Sequence, residues 1–289
     1  MSNHLAGYSL KKRLKLPWIA HFSDPWVDNP YFHLSYSARL KTADWERKVI
    51  ETADCLIFTS EETRNLVMSR YPKTSFDKAK VLSHCFDPSL YKVSNSRRNE
   101  SDNKIVFRYL GRFYGIRSAN KFIEGIRFFI GKFPLLKKRV KFEMIGGEIP
   151  KSKLIGIEDI FEVRPRVPYI RSLQLMIESD VLVIIDANMK ENIFFPAKLA
   201  DYIGSNRTIL GVTPPGTSAR VITQLGGEVA HPDKPEEIAN KIASLVSSRN
   251  ETNETLNKAR DLYSISSVTE QFDLIVTEVS EQRKQTECQ

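Results

Sequence analysis

The 289 residues are enough for one sizeable core and for two domains, and a hydrophobic share of 41% is ordinary for a globular chain. No apolar run approaches the ~20 residues that span a bilayer, no signal peptide is legible, and three cysteines are too few for a disulfide framework, so a cytoplasmic protein is expected. The net charge of +8 is concentrated: residues 104–173 hold 16 Lys and Arg against 6 Asp and Glu, while residues 174–289 hold 11 against 17.

The chain alternates apolar runs with amphipathic stretches, the pattern of parallel sheets covered by helices. Trp18–Phe22 reads as a short strand that ends in the turn Asp24-Pro25-Trp26, and a helix is predicted over Lys41–Thr52. Cys55–Thr59 is a buried strand, and Ser60-Glu61-Glu62 opens the next helix with a cap and first-turn acids. A strand begins at Lys80 and ends near Phe86-Asp87-Pro88. Residues 94–103 contain no apolar side chain and read as a linker.

A fresh series follows. Strands are predicted at Lys104–Leu110, Val140–Ile145, Phe161–Val163, Val181–Ile185, Thr208–Val212 and near Glu228–Ala230. Helices are predicted at Ser118–Lys132, Tyr169–Glu178, from Pro196, after Gly216 and over Pro235–Val246. Two more helices close the chain, the last opened by the capping-box pattern Ser267-Val268-Thr269-Glu270. A doubly wound domain carries about five or six parallel strands. The part after residue 103 supplies that number and the part before residue 94 supplies three. The expected division is residues 1–93, a linker at 94–103, a domain at 104–266 and a C-terminal helix at 267–289 that packs back on the N-terminal part.

Several segments have the chemistry of an anion site. Pro196 suits a helix start because its missing N–H would go unpaired there. Lys198 and Asp201 follow at i and i+3, near the end where backbone N–H groups attract anions. The same pair reads equally well as an exposed ion pair on a capped helix. Gly111-Arg112 with Arg117 brackets a strand-to-helix turn, where glycine admits a ligand close to the backbone and forked guanidinium groups grip phosphate oxygens. Gly146 follows the next strand and Thr217 opens a later helix at the same sheet edge, though each is also a plain turn. Asp24, after the first strand, is placed either to cap a proline turn or to position a hydroxyl as a base. No cluster of His and Cys suggests a metal, and no helix-turn-helix, RNP or zinc signature accompanies the basic third, so nucleic acid is not the expected partner.

In order and spacing these pieces resemble the glycosyltransferases of the GT-B fold, in the large group called family 4. The likeness covers nearly all the chain. Leu16–Trp26, Ala53–Ser60 and Val81–Phe86 resemble late strands of the N-terminal, acceptor-side domain. Gly111-Arg112 with Arg117 resembles the donor-diphosphate grip, where a lysine is commoner than Arg117, and Pro196–Tyr202 resembles the segment whose acid holds the ribose. Two departures stand out. The position eight before Asp201 is Ile193 rather than a sugar-binding glutamate, leaving Glu191 as the candidate substitute, and the first strands of the N-terminal domain have no counterpart.

The resemblance implies an α/β protein with one full Rossmann-like domain and a partial one. It implies retaining, metal-independent transfer from a UDP- or GDP-linked sugar to a glycan or lipid-linked acceptor, in surface polysaccharide assembly. Arg112, Arg117 and Lys198 would stabilise the leaving diphosphate, with Gly111, Gly146, Pro196, Asp201 and Thr217 lining the donor site and Asp24 on the acceptor side. The basic third suits loose attachment at the inner face of an acidic membrane. Two alternatives remain. One is a non-catalytic or partner-dependent nucleotide-sugar-binding half of a split or truncated glycosyltransferase, either an inactive remnant or a chain that needs a partner to supply the missing strands. The other is a sugar-nucleotide epimerase, which shares the architecture but not the Pro196–Tyr202 segment.

Overall fold

In the computed structural model, which describes residues 2–91, 104–247 and 254–287, the strands form two parallel sheets. They belong to two compact units: unit 1 takes in residues 1–84, 193–195 and 265–289, and unit 2 residues 85–192 and 196–264. The expected linker at 94–103 lies outside the described residues.

Unit 1 opens with a helix that the sequence reading did not assign, α1 (Ser2–Leu14). It buries no side chain fully, so no apolar stripe announced it. Contacts made elsewhere hold it: Lys11 Nζ pairs with Asp54 at 2.6 Å, and the His4 ring lies 4.6 Å from that of Phe22. Then come β1 (Ile19–Phe22), α2 (Tyr36–Thr52), β2 (Cys55–Phe58), α3 (Glu61–Met68), the single turn α4 (Lys73–Phe76) and β3 (Ala79–Val81). Helix α2 starts five residues before the predicted Lys41 because Ser35 caps it, its Oγ accepting from the Ala38 N–H. Ser60 caps α3, accepting from the Thr63 N–H at 3.0 Å.

The strand order is β1-β2-β3, all parallel, with Ile19 opposite Cys55 and Leu56 opposite Ala79. Strand alternation sends Ala20, Phe22, Leu56 and Phe58 to one face, against Val49, Ile50, Val67 and Met68 of α2 and α3. Cys55 and Ile57 face the other way, against Ile275 and Val279 of the closing helix (Ile265–Glu287). That helix begins two residues before the predicted Ser267. The outer side of β1 has no strand partner among the described residues.

Unit 2 is built on β4 (Ile105–Leu110), α5 (Asn120–Lys132), β5 (Val140–Ile145), β6 (Phe161–Arg164), α6 (Tyr169–Ile177), β7 (Val181–Ile185), α7 (Ala197–Gly204), β8 (Thr208–Val212), α8 (Thr217–Gln224), β9 (Glu228–Ala230), α9 (Pro235–Ser247) and α10 (Glu254–Asp261), which makes the closing helix α11. Its six parallel strands run β6-β5-β4-β7-β8-β9. The order reverses between β4 and β7, as in doubly wound sheets, whose ligands sit at the carboxyl ends of the strands near that reversal. Strand β7 is buried at all five positions, the continuous apolar run of a strand covered on both faces. Helices α5 and α9 cover one face, packing Phe122, Ile126, Ile238 and Ile242 against Phe107, Phe142 and Val183.

Inside this sheet lies a buried ion pair. Arg108 on β4 reaches Glu143 on β5 at 2.7 Å, and Lys141 Nζ lies 2.8 Å from the same carboxylate. Burial works to raise the Glu143 pKa, but the hydrogen bond from Lys141 and the charge of Arg108 outweigh it and hold the carboxyl below its usual range.

Candidate functional site

The carboxyl ends of β4, β5 and β7 meet in unit 2 around two turns. Gly111, directly after β4, has φ +138°, a conformation that favours glycine, and a Cβ added there would lie 2.4 Å from Lys198 Nζ. The Lys198 ammonium therefore sits in the space that a side chain would fill. Gly146, directly after β5, lies beside it: its Cβ position is 3.5 Å from the Gly111 carbonyl oxygen. A cavity of about 470 Å³ opens at the ends of β5 and β6, lined by Gly147, Glu148, Ile149, Pro150 and Val163–Pro165.

Lys198 is in the first turn of α7, with Pro196 as its N-cap. Its Nζ donates to the Tyr109 hydroxyl at 2.9 Å and stands 4.2 Å from the centre of that ring. An ammonium has three donors, and Tyr109 is its one hydrogen-bond acceptor among the described residues. Burial pushes the Lys198 pKa down to about 7; Arg117 adds to the fall and Asp186 opposes it.

Arg117, just ahead of α5, is 7% exposed, and its Nη2 lies 3.4 Å from Asp186 Oδ1. Asp186 follows β7 directly and is 4% exposed. Its Oδ2 accepts from Asn192 Nδ2 at 2.8 Å and from Thr213 Oγ1 at 2.9 Å. Sequence reasoning passed over Asp186. The signal was an acid at the carboxyl end of a wholly apolar strand, the place where a sheet presents its ligand groups.

The turn before α8 completes this edge. The Thr217 N–H donates to the Asn192 carbonyl at 2.7 Å, and the Asn192 N–H donates to the Pro215 carbonyl at 2.8 Å. Gly216 has φ +125°, and a Cβ on it would come within 2.1 Å of the Asn192 oxygen. Thr217 is thus fully buried, with its amide already engaged. Its backbone closes the turn at the edge where the sequence placed it as a ligand contact.

Not every expected residue joins this group. Arg112 is exposed and makes no ion pair among the described residues, while its carbonyl accepts from the Tyr109 hydroxyl at 3.4 Å. Asp201, expected to face the same side as Lys198, turns to other partners. Its Oδ1 accepts from Tyr169 at 2.9 Å and from Tyr91 at 3.4 Å. Burial raises the Asp201 pKa and the two tyrosine hydroxyls counter it. Glu191 is exposed. Ile193 belongs to unit 1, where its carbonyl accepts from Ser60 Oγ at 2.6 Å and Thr63 Oγ1 at 2.8 Å.

Asp24 also belongs to unit 1. It lies two residues past β1 and lines a cavity of about 660 Å³ with His4, His21, Trp18, Trp26 and Phe32. Burial raises its pKa, opposed by the charge of His84. Among the described residues no cluster of three or more His, Cys, Asp or Glu is placed to hold a metal ion.

No family model matches this chain, and no curated protein is similar to it in sequence. Solved structures are similar in fold. HepE from Anabaena, determined with UDP and glucose, is 14% identical with a TM-score of 0.69, over 95% of this chain and 75% of that one. Sucrose-phosphate synthase from Thermosynechococcus elongatus is 14% identical with a TM-score of 0.70, over 96% of this chain and 72% of that one. A UDP-forming trehalose-phosphate synthase from Burkholderia xenovorans is 10% identical with a TM-score of 0.71, over 94% and 71%. The chain therefore has a GT-B-like fold of Rossmann-like parallel sheets.

Proposed function

We propose that this chain is a glycosyltransferase that binds a nucleotide diphosphate sugar in unit 2 and passes the sugar to a glycan or lipid-linked acceptor with retention at the anomeric carbon. One observation carries the reading: Lys198 sits against the Gly111 turn, which Gly146 adjoins, and Arg117 pairs with Asp186 at the end of β7, along the edge where the order of the parallel strands reverses. Bond cleavage to the sugar leaves negative charge on the departing diphosphate. Fixed cations aimed at that charge lower the barrier, and removing one such group typically costs ~10²–10³ in rate. The solved structure of HepE with UDP and glucose supports a uridine nucleotide as the first candidate. Family 4 kinship and a place in surface polysaccharide assembly belong to the same proposal, as does a transfer step without a metal.

Within it, Lys198 reaches a diphosphate seated on the Gly111 turn, and Asp186 holds Arg117 in place. Arg112 is a solvent-exposed cation that a ligand would have to recruit. Asp201 reaches a ribose through the carboxylate oxygen that Tyr91 and Tyr169 leave over. Asp24 positions the acceptor hydroxyl. Calorimetric titration of the full chain with UDP, GDP, uridine and guanosine tests the binding half of the reading. A diphosphate should bind at least tenfold more tightly than its nucleoside, and Lys198→Met should remove most of that difference. Equal affinities for nucleotide and nucleoside would sink the proposal.

A second reading keeps the ligand and moves catalysis to a complex. The outer edge of β1 has no strand beside it among the described residues, and an edge of this kind can take an added strand. Transfer activity that appears only when a second chain is supplied would favour it.

A further inference from the structure

We propose that the surface of unit 2 around the C-terminal half of α5 is a docking face for an anionic lipid membrane. Three large apolar side chains stand in water there: Leu135 is 89% exposed, Ile155 67% and Phe128 47%. They stand on α5 and on two turns that pack against it. Leu135 lies in the 3-10 turn Pro134–Arg139 that follows α5, and the turn Lys151–Leu154, just before Ile155, packs on the same helix. Arg127 of α5 holds the second of these turns, its Nη2 donating to the Lys153 carbonyl at 2.8 Å and the Ile155 carbonyl at 3.3 Å.

Cations surround these apolar groups. Lys138, Arg139, Lys151 and Lys153 are exposed and make no ion pair among the described residues. Most acids on the same elements face cations: Asp159 pairs with Lys137 at 2.9 Å, Glu236 with Lys132 at 2.6 Å and Glu124 with Lys121 at 3.5 Å. Glu158 accepts from the Gly156 N–H at 2.7 Å and keeps its charge against the four cations. These elements therefore combine exposed apolar side chains with a net positive charge.

That pairing of chemistries selects the occupant. A nucleic acid backbone would use the four cations but gain nothing from an exposed leucine, isoleucine and phenylalanine. A lipid interface uses both, taking apolar side chains below the headgroups while Lys and Arg meet the lipid phosphates. No helix among the described residues is long and apolar enough to cross a membrane, so this contact is peripheral.

The inference rests on no part of the glycosyl-transfer reading. It is tested by co-sedimenting the full chain with vesicles of phosphatidylglycerol and phosphatidylcholine and, separately, of phosphatidylcholine alone. Binding should require the anionic lipid and weaken as salt rises from about 0.1 to about 0.5 M. Each cation near such a surface is worth about fivefold in affinity, so Lys138→Glu with Arg139→Glu should cost at least ~25-fold. Leu135→Ser, which leaves the charge unchanged, should cost roughly tenfold. All three positions are exposed, and circular dichroism with UDP titration checks that the variants fold. The proposal is overturned by equal binding to both vesicles or by no binding to either. It is also overturned by binding that neither variant weakens, which would move the contact to another basic segment such as Lys12–Lys15. UDP affinity that persists through such a failure leaves the proposed function standing.

Discussion

At the scale of single residues, Lys198 is the group whose behaviour the site most depends on. It is held over Tyr109 and Gly111 with a pKa pushed down to about 7, chiefly by burial. The sign follows directly: the ammonium is present below that value and lost as pH rises through it. A bound diphosphate favours the charged form, so its affinity should fall roughly tenfold between about pH 6.5 and about pH 8.5. Lys198→Arg, permanently charged, should flatten that profile while retaining binding. A wild-type profile already flat over this range would show that Lys198 does not meet the phosphates. Reading the sequence picked out Lys198 and Asp201 as a pair, because their spacing on a helix was the available fact. It did not reveal that one turns to β4 and the other to Tyr91 and Tyr169. Those partners lie far off in the chain, and no local pattern encodes them.

At the scale of elements, β4 and β5 are joined by more than their ladder. Arg108 and Glu143 are both buried, and breaking such a pair from one side leaves an uncompensated charge. Glu143→Ala should therefore destabilise the chain by ~3–5 kcal/mol, measured as a lower midpoint in urea. Replacing both, Arg108→Met with Glu143→Leu, should recover most of that loss, since no buried charge is then left alone and Lys141 keeps Glu162 at 2.7 Å. A double variant as unstable as the single one would mean that the pair itself supplies the stability. The pH dependence has the usual carboxylate sign. The Glu143 pKa is held low in the folded state, so its contribution is present above the ordinary carboxylate range and is lost as acid takes the pH through the lowered value.

At the scale of the whole molecule, ligand binding should appear as stability. A nucleoside diphosphate at a hundredfold excess over its Kd stabilises the folded state by about 2.7 kcal/mol, roughly 5–10 °C in thermal midpoint. Differential scanning calorimetry with UDP or GDP should show that rise, and Lys198→Met should reduce it. A rise of the same size with uridine would place the binding energy in the base and sugar rather than the diphosphate. The architecture behind this expectation was largely readable from the residues. Val140–Ile145, Val181–Ile185 and Thr208–Val212 match the observed strands residue for residue, and a strand lies where one was expected near Glu228–Ala230. Buried parallel strands are apolar throughout and are bounded by polar turns, so local composition marks both their ends. Helix α1 escaped because it hides no apolar stripe, and α2 began early because one serine cap outweighed the periodicity.

The sequence alone determined the sheet class, most strand limits and the presence of Arg117, Lys198 and two glycine turns along one edge of unit 2. Periodicity, capping and backbone freedom are local properties, and each is written in a few neighbouring residues. Only the tertiary structure decided which side chains share a space. It brought in Asp186, buried Thr217 with its amide in a turn, left Arg112 in solvent and set Asp201 beside two tyrosines. Which groups meet in a crevice depends on the order of strands in the sheet, and that order is fixed by packing between distant segments.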